Sequence, residues 1–363
     1  MLKTLPAVFA VDRSYQIMVQ VKSEALMYVK IGDKTYYDDS NGIMNSLYPI
    51  HRVCVPMEDL DREKKYTVCI RPVTTRKPYF TDTKKPVEKT FDFVPVPENN
   101  IRIYHISDAH NAVDTPVKAA KTFGNIDLLI LNGDVIDHSG DWKKFINIYE
   151  ICARLTAGRV PVVFSRGNHD MRGKFAERFA DYTPSHHQKT YYTFRLGSVW
   201  GVILDCGEDK VDENPEYGYT VACHGFREKQ TEFLKTVIEN EKREYGAEGV
   251  KTRLVIVHNP FTHQFEPPFN IEEDIYRQWA ALLKANIKPD LMICGHDHEY
   301  AVHKAGGAYD HLGQPCTLVV ASEPRHDRFI GCGFVVGESQ IEAIFTDSLG
   351  NTLLKESIPK AGA

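Results

Sequence analysis

Apolar and polar positions alternate over short stretches in the first part of the chain. The segments SYQIMVQV, ALMYVKIG, HRVCVPM and KYTVCIRPV place apolar residues near every second position, and turn-rich segments such as DDSNG separate them. A period of two residues over such lengths is typical of half-buried strands. We therefore predict that residues 1–97 form a small all-β sandwich of the immunoglobulin or fibronectin type, which ends in the linker VPVPENN.

The pattern changes from residue 101 onward, where apolar runs alternate with stretches of helical periodicity. Runs such as IRIYHI, DLLIL, VPVVF, VWGVIL, RLVIV and LMIC are typical of strands buried on both faces. Helices are predicted near 116–123, 141–155, 227–244 and 272–284, and strands return between about 317 and 357. This alternation predicts an α/β domain over residues 98–363, with a largely parallel or mixed sheet covered by helices.

Composition and charge narrow the class of protein. The chain has 363 residues, of which 42% are hydrophobic and 26% charged, as is usual for a soluble globular protein. Its net charge of -5 gives no basic footprint, so we expect no nucleic-acid partner. Since the apolar runs are all shorter than the ~18 residues needed to cross a bilayer, we expect no membrane span.

The eight cysteines favour buried free thiols over a disulfide framework. They form no CxxC pair, and Cys69 and Cys294 lie within apolar runs. Free thiols fit a reducing compartment. The N-terminal apolar run is short, contains Pro6 and leads into Asp12, so we interpret it as a first strand and not as a signal peptide. The predicted location is therefore cytoplasmic.

Five polar clusters each follow a predicted strand of the second domain. The carboxyl ends of the strands in an open α/β sheet meet at one edge, where ligands bind. We therefore expect the five clusters to lie together in the fold. In chain order they contain Asp108 and His110, then Asp134, then Asn168 with His169 and Asp170, then His258, and last His296 and His298.

The residue types in these clusters indicate a metal site. Carboxylate, amide and imidazole donors without thiolate suit divalent or trivalent Mn, Fe or Zn. Six or seven candidate ligands are too many for one tetrahedral ion, and they fit two ions that share a bridging carboxylate, for which Asp134 is the natural candidate. Two ions about 4 Å apart can bind both the attacking and the leaving oxygen of a displacement at phosphorus.

The ordered motifs DxH, GD, GNHD, a later His and GHxH resemble those of the calcineurin-like metallophosphoesterase superfamily over roughly residues 101–300. The resemblance implies a four-layer αββα sandwich. It implies that Asp108, His110 and His298 bind the first metal ion, that Asp134 bridges, and that Asn168, His258 and His296 bind the second. Each residue alone could equally cap a loop or helix; the complete ordered set favours metal binding.

The resemblance also implies roles for two residues that are not ligands. His169 would protonate the leaving oxygen, and Asp170 would orient its ring; a histidine with a carboxylate partner is a suitable general acid near neutral pH. The expected reaction is the attack of a metal-bridging hydroxide on a small phosphorylated substrate, either a phosphomonoester or a small phosphodiester. The alternative is a metal-containing binding or scaffolding protein without turnover.

The leading β segment adds a looser resemblance to the purple acid phosphatases, which also carry a β-sandwich before the hydrolase domain. The motifs depart from that branch, because Asp137 occupies the position of its tyrosine and His110 is present. Arg166 and Arg172, beside GNHD, could each contact a phosphate or serve the fold. Segments 206–225 and 259–270 are the candidate specificity loops. The sequence leaves the oligomeric state and the substrate open.

Overall fold

The computed structural model describes residues 1–40, 42–325 and 327–361. Strands and α-helices are numbered here in chain order. The strands are β1 (Ala7–Val11), β2 (Ser14–Gln20), β3 (Ala25–Ile31), β4 (Lys34–Tyr37), β5 (Asp39–Ser40), β6 (Ile43–Met44), β7 (Ile50–Pro56), β8 (Lys65–Arg76), β9 (Thr81–Thr83), β10 (Val87–Asp92), β11 (Ile101–Ile106), β12 (Leu128–Asn132), β13 (Pro161–Ser165), β14 (Tyr192–Leu196), β15 (Val199–Leu204), β16 (Thr252–Val257), β17 (Leu291–Cys294), β18 (Tyr300–His303), β19 (Leu318–Ala321), β20 (Glu323–Pro324), β21 (Phe329–Val336), β22 (Gln340–Asp347) and β23 (Thr352–Pro359). The α-helices are α1 (Met57–Glu63), α2 (Asp114–Phe123), α3 (Trp142–Phe145), α4 (Asn147–Thr156), α5 (Phe179–Tyr182), α6 (Cys223–Glu239) and α7 (Glu273–Leu282).

Two large sheets form the centre of the molecule. One has the order β23-β22-β21-β11-β12-β13-β1-β2-β7, with β20 paired to β21, and the other has the order β14-β15-β16-β17-β19-β18. They pack face to face, because Ile130 and Val163 of the first sheet share one buried apolar cluster with Ile203 and Ile256 of the second. Helices α2 and α4 cover the outer face of the first sheet, and α6 and α7 cover that of the second. The predicted four-layer αββα arrangement is confirmed.

The leading segment contributes to two sheets. Strands β3, β4, β8, β9 and β10 form a small sheet whose Met27 and Val68 pack on Ile17 and Val53 of β2 and β7. This is the expected N-terminal β-sandwich, but its second layer is the edge of the large central sheet. Strand β1 pairs in parallel with β13 of the second predicted domain, with Val8 opposite Pro161. The division at residue 97 stays a prediction, and the sheet runs across it.

The helices match the sequence pattern with small differences in their bounds. The single helix expected over 141–155 is two, α3 and α4, and the side chain of Asp141 caps the first by accepting from the backbone of Lys143 at 2.9 Å. All eight cysteines are free thiols, as predicted. Among the described helices, none combines the length and apolar character that crossing a bilayer requires.

Candidate metal centre

The predicted ligands converge at the carboxyl ends of parallel strands. Strands β11, β12 and β13 pair in parallel in one sheet, and β16 pairs in parallel with β17 in the other, so the loops that follow them meet at one edge. There the ligand atoms form two groups of three, each within 4.8 Å of one another. We call them the first cluster, Asp108, His110 and His298, and the second cluster, Asp134, His258 and His296.

Five of these six residues have a left-handed backbone. The φ angles are 51° at Asp108, 42° at His110, 51° at Asp134, 72° at His296 and 53° at His298. Residues other than glycine adopt this region rarely and at a cost in free energy, and such residues concentrate at functional sites. All five lie within four residues of the end of the preceding strand. The left-handed residues are therefore concentrated where the predicted ligands meet.

The first cluster presents ring nitrogens to each other. Nε2 of His110 lies 3.1 Å from Nε2 of His298, and Nε2 of His298 lies 3.4 Å from Oδ1 of Asp108. Nδ1 of His110 lies 3.0 Å from Oδ1 of Asp137, a contact that keeps the proton on Nδ1 and leaves the lone pair on Nε2. Asp137 was singled out in the sequence only as a departure from another branch, and its contact with His110 was missed.

The second cluster is organised around the buried ring of His258. Its Nδ1 donates to the backbone carbonyl of Asn132 at 2.7 Å, so Nε2 faces Oδ2 of Asp134 at 3.1 Å and Oδ1 of Asp108 at 3.6 Å. Burial disfavours a charged ring, but the carboxylates of Asp134 and Asp108 outweigh it and raise the pKa of His258 to about 10. Against the effect of burial, the charge on His258 holds the pKa of both carboxyl groups below the usual value.

Asn168 adds a seventh donor beside the second cluster. Its side-chain oxygen lies 3.1 Å from Nδ1 of His296 and 3.2 Å from Oδ2 of Asp134, so acceptor atoms face each other. Rotating the amide by half a turn would satisfy these atoms with N–H groups, and a cation between them would satisfy them without the rotation. Burial, and then the charge on His258, lower the pKa of His296 to about 4, which keeps this ring neutral.

Three glycines allow the loops to approach this closely. A Cβ atom on Gly133 would come within 2.5 Å of Nδ1 of His258. One on Gly167 would overlap Oδ1 of Asp134, and one on Gly295 would overlap the hydroxyl of Ser107. The glycines of the GD, GNHD and GHxH motifs are therefore required by space, and Gly133 also by its left-handed backbone, with φ of 78°.

His169 borders both clusters from the solvent side. Its Nδ1 donates to the backbone carbonyl of Asp137 at 2.9 Å, its Nε2 lies 3.9 Å from Oδ2 of Asp134, and its ring makes an edge contact with His110 at 4.8 Å between centroids. The side chain is 30% exposed. The ring is thus oriented by the Asp137 carbonyl, whereas the sequence assigned that task to Asp170.

Asp170 is turned into the protein. Its Oδ2 accepts from the backbone N–H of Gly167 at 2.9 Å and of Asp134 at 3.2 Å, and its side chain is fully buried. Burial, and then the charge of Asp134, raise the pKa of Asp170 to about 8. The physical reason for the difference is that the short helical turn 169–171 directs consecutive side chains to different sides. Asp170 therefore connects the loop of Gly167 with the loop of Asp134.

The comparisons with known proteins give the class of the chain. The family model described as calcineurin-like phosphoesterase matches residues 101–300, more than half of the sequence. The chain belongs to the calcineurin-like phosphoesterase family. No match was found among curated protein sequences.

Two solved structures extend the likeness of fold. A purple acid phosphatase from yellow lupin (Lupinus luteus) seeds has a TM-score of 0.60 at 12% identity, over 99% of this chain and 74% of that chain. A dimetal phosphatase from Danio rerio has a TM-score of 0.50 at 14% identity, over 72% of this chain and 100% of that chain. The first likeness includes the leading β region, so the predicted resemblance to that architecture is confirmed. Identities this low show the fold alone.

Proposed function

We propose that this chain hydrolyses phosphoric esters with two bound metal ions. The observation that carries the proposal is the convergence of six Asp and His ligand atoms into two adjacent groups of three. Membership of a phosphoesterase family supports the reaction class. The substrate proposed is small and carries a phosphomonoester or a phosphodiester.

The donor set fits two cations. Ring nitrogens of His110 and His298 lie 3.1 Å apart in the first cluster, and the oxygen of Asn168 faces acceptors in the second. Two buried carboxylates, Asp108 and Asp134, lie beside these groups. Buried acceptors and like charges of this kind are stable only with a counter-charge, which a proton on His258 or bound cations can supply.

We assign the ligands as the clusters suggest. The first ion would be held by Asp108, His110 and His298, and the second by Asn168, His258 and His296. Asp134 would be shared, as the family resemblance implies. Its Oδ2 lies 3.1 Å from Nε2 of His258, and its backbone carbonyl accepts from the N–H of His110 in the first cluster at 3.0 Å. Oxygen and imidazole donors without thiolate suit manganese, iron or zinc.

When bound, two such ions supply Lewis acidity at the phosphoryl group and lower the pKa of water toward about 7. The protein supplies the proton for the leaving group. Because Nδ1 of His169 donates to the carbonyl of Asp137, proton exchange is confined to Nε2, on the partly exposed edge of the ring. A protonated His169 would therefore deliver its proton from Nε2 to the departing oxygen.

The proposal is tested by metal-dependent hydrolysis of an aryl phosphate and a bis-aryl phosphate. Protein stripped of metal with a chelator and then supplied with Mn²⁺, Fe²⁺ or Zn²⁺ should recover turnover with at least one ion. Turnover that survives complete removal of metal would contradict the mechanism. Protein that retains two ions per chain by elemental analysis, yet turns over neither ester, would favour the alternative of a metal-containing binding protein.

Two variants separate the metal site from the proton donor. Asp134→Asn should lose bound metal and activity together, since it removes the shared carboxylate. His169→Ala should keep its metal and lose rate chiefly on esters with poor leaving groups, because only these need a proton. Asp274→Asn, at an exposed position of α7, is the matched control and should behave as the wild type. An unchanged rate in His169→Ala on an alkyl phosphate would remove the assigned role.

A further inference from the structure

Arg172 places a fixed positive charge at the mouth of the candidate metal centre. Its Nη1 lies 3.3 Å from Nε2 of His169, and its side chain is 28% exposed. A guanidinium stays charged at any pH of interest, and its planar fork matches the oxygens of a phosphate. The sequence left open whether Arg172 contacts substrate or serves the fold. The contacts of its side chain help to distinguish these two roles.

Both ends of Arg172 are fixed by the protein. At the backbone, its carbonyl accepts from the N–H of Ser139 at 2.6 Å and from the hydroxyl of Ser139 at 2.8 Å. At the side chain, Nε and Nη2 donate to the two carboxylate oxygens of Glu208 at 3.0 and 2.9 Å. The ion pair is therefore bidentate. Its carboxylate is buried, because Glu208 is only 1% exposed.

The backbone of Glu208 is bound by a side chain of helix α6. The fully buried Arg227 donates to the backbone carbonyl of Glu208 at 2.5 Å and to that of Cys206 at 2.7 Å. The chain of contacts thus runs from Arg227 of α6 through Glu208 to the guanidinium of Arg172. A surface arginine that served only solubility would not need a buried carboxylate and a second buried arginine behind it.

The guanidinium keeps one N–H group for a ligand. Nε and one N–H of Nη2 bind Glu208, and one N–H of Nη1 points to Nε2 of His169. The second N–H of Nη2 faces Asn168, whose rotated amide oxygen would accept from it at 3.2 Å, and Nη2 lies 3.9 Å from Oδ1 of Asp209. The second N–H of Nη1 is left next to His169, where a phosphoryl group at the metal centre would come within its reach.

We propose that Arg172 binds a non-ester oxygen of the substrate phosphate and that Glu208 positions it for this contact. The inference rests on the proposed phosphoesterase function and narrows its substrate class to phosphomonoesters. A monoester carries a second negative charge and one more non-ester oxygen than a diester, so an additional charged N–H donor favours it. Arg172 would be a substrate-binding residue, and Glu208 would act through it.

The binding of inorganic phosphate and the turnover of two esters test the proposal on the Mn²⁺-loaded full chain. Arg172→Gln should weaken phosphate binding, measured by titration calorimetry, by about 10- to 100-fold, the usual effect of losing a charged hydrogen bond. The ratio kcat/KM should fall similarly for an aryl phosphate, chiefly through KM, and by less than about 3-fold for the bis-aryl phosphate. Arg172→Lys should recover part of the loss. Lys174→Gln, an exposed position two residues along, is the matched control of charge and should match the wild type.

Glu208 is tested through its coupling to Arg172. Glu208→Gln should weaken phosphate binding in the wild type and have no further effect in Arg172→Gln, because it acts only through the guanidinium. The double variant also removes the unpaired buried carboxylate that the single Arg172 variant leaves, so it stays informative if that variant folds poorly. Phosphate affinity within 2-fold of the wild type in the folded double variant would overturn the proposal, as would equal losses for both esters. Since phosphate binding is read without turnover, its result is separate from failure of the proposed hydrolysis.

Discussion

Replacement of His258 by glutamine in the metal-free protein tests the electrostatics of the centre directly. In that state the protonated ring of His258 lies 3.1 Å from a carboxylate oxygen of Asp134 and 3.6 Å from one of Asp108, and all three side chains are at most 2% exposed. A neutral glutamine leaves two buried carboxylates without their counter-charge. Removing one partner from a buried ion pair typically costs about 3 to 5 kcal/mol.

That cost translates into a measurable change of melting temperature. An unfolding entropy of about 2.1 cal/mol/K per residue gives roughly 0.8 kcal/mol/K for a chain of 363 residues. The variant should therefore melt about 4 to 6 °C below the wild type at pH 7.5 after chelation, by calorimetry or circular dichroism. His187→Gln, an exposed position, provides the matched control.

The difference between wild type and variant should also depend on pH in one direction. The pKa of His258 is raised in the folded state to about 10, from an ordinary value of 6.5. The folded chain therefore binds more protons than the unfolded chain between these values, and stability falls as pH rises. The contribution of His258 is full below pH 6.5, declines above it, and is lost once pH passes about 10. A variant that melts within 1 °C of the wild type at pH 7.5, or a difference that grows with pH, would refute the reasoning.

Three further changes probe other contacts described above. Asp137→Asn should weaken retention of the first metal ion by about 10- to 100-fold in a chelator competition, because the partner that orients His110 is altered; unchanged retention would contradict this. Gly167→Ala should lose metal and activity while its far-ultraviolet circular dichroism stays native, since the new methyl group overlaps the Asp134 carboxylate. A fully active variant would show that the loop can move enough to accept the methyl group. Deleting residues 1–97 should give a chain that is degraded by limited proteolysis, because β1 is the neighbour of β13 in the central sheet. A stable, active truncated chain would show that the sheet tolerates an open edge there.

The sequence predicted the location of the site because the site follows a local rule. Each cluster is a strand followed at once by polar residues, and parallel strands place such loops at one edge. The same rule would have found Glu208, since VWGVIL is followed by Asp205 and Glu208 in the same way. Segment 206–225 is instead predicted as a specificity loop, because it is a long stretch at the same edge of the sheets.

Other features depend on contacts between distant parts of the chain. The run AVFAV predicts a strand buried on both faces, but nothing near it indicates that Val8 pairs with Pro161. The strands of the predicted sandwich are therefore present, but the sequence did not indicate that β1 pairs with a strand of the second predicted domain. The contact of Asp137 with His110, and the turning of Asp170 into the protein, follow from loop conformations with left-handed residues, which side-chain types alone do not specify.

The insertion of β1 into the central sheet has a consequence for synthesis of the protein. Strand β1 ends at Val11, and its parallel neighbour β13 begins at Pro161, so about 150 residues must be added before the two can pair. At about 5 to 20 residues per second a ribosome needs roughly 8 to 30 s for this stretch. During that interval the apolar strand can pair with β2, while its other edge waits in the nascent chain. One edge of β1 is thus completed only after about 150 further residues, and until then this apolar edge can pair with other chains.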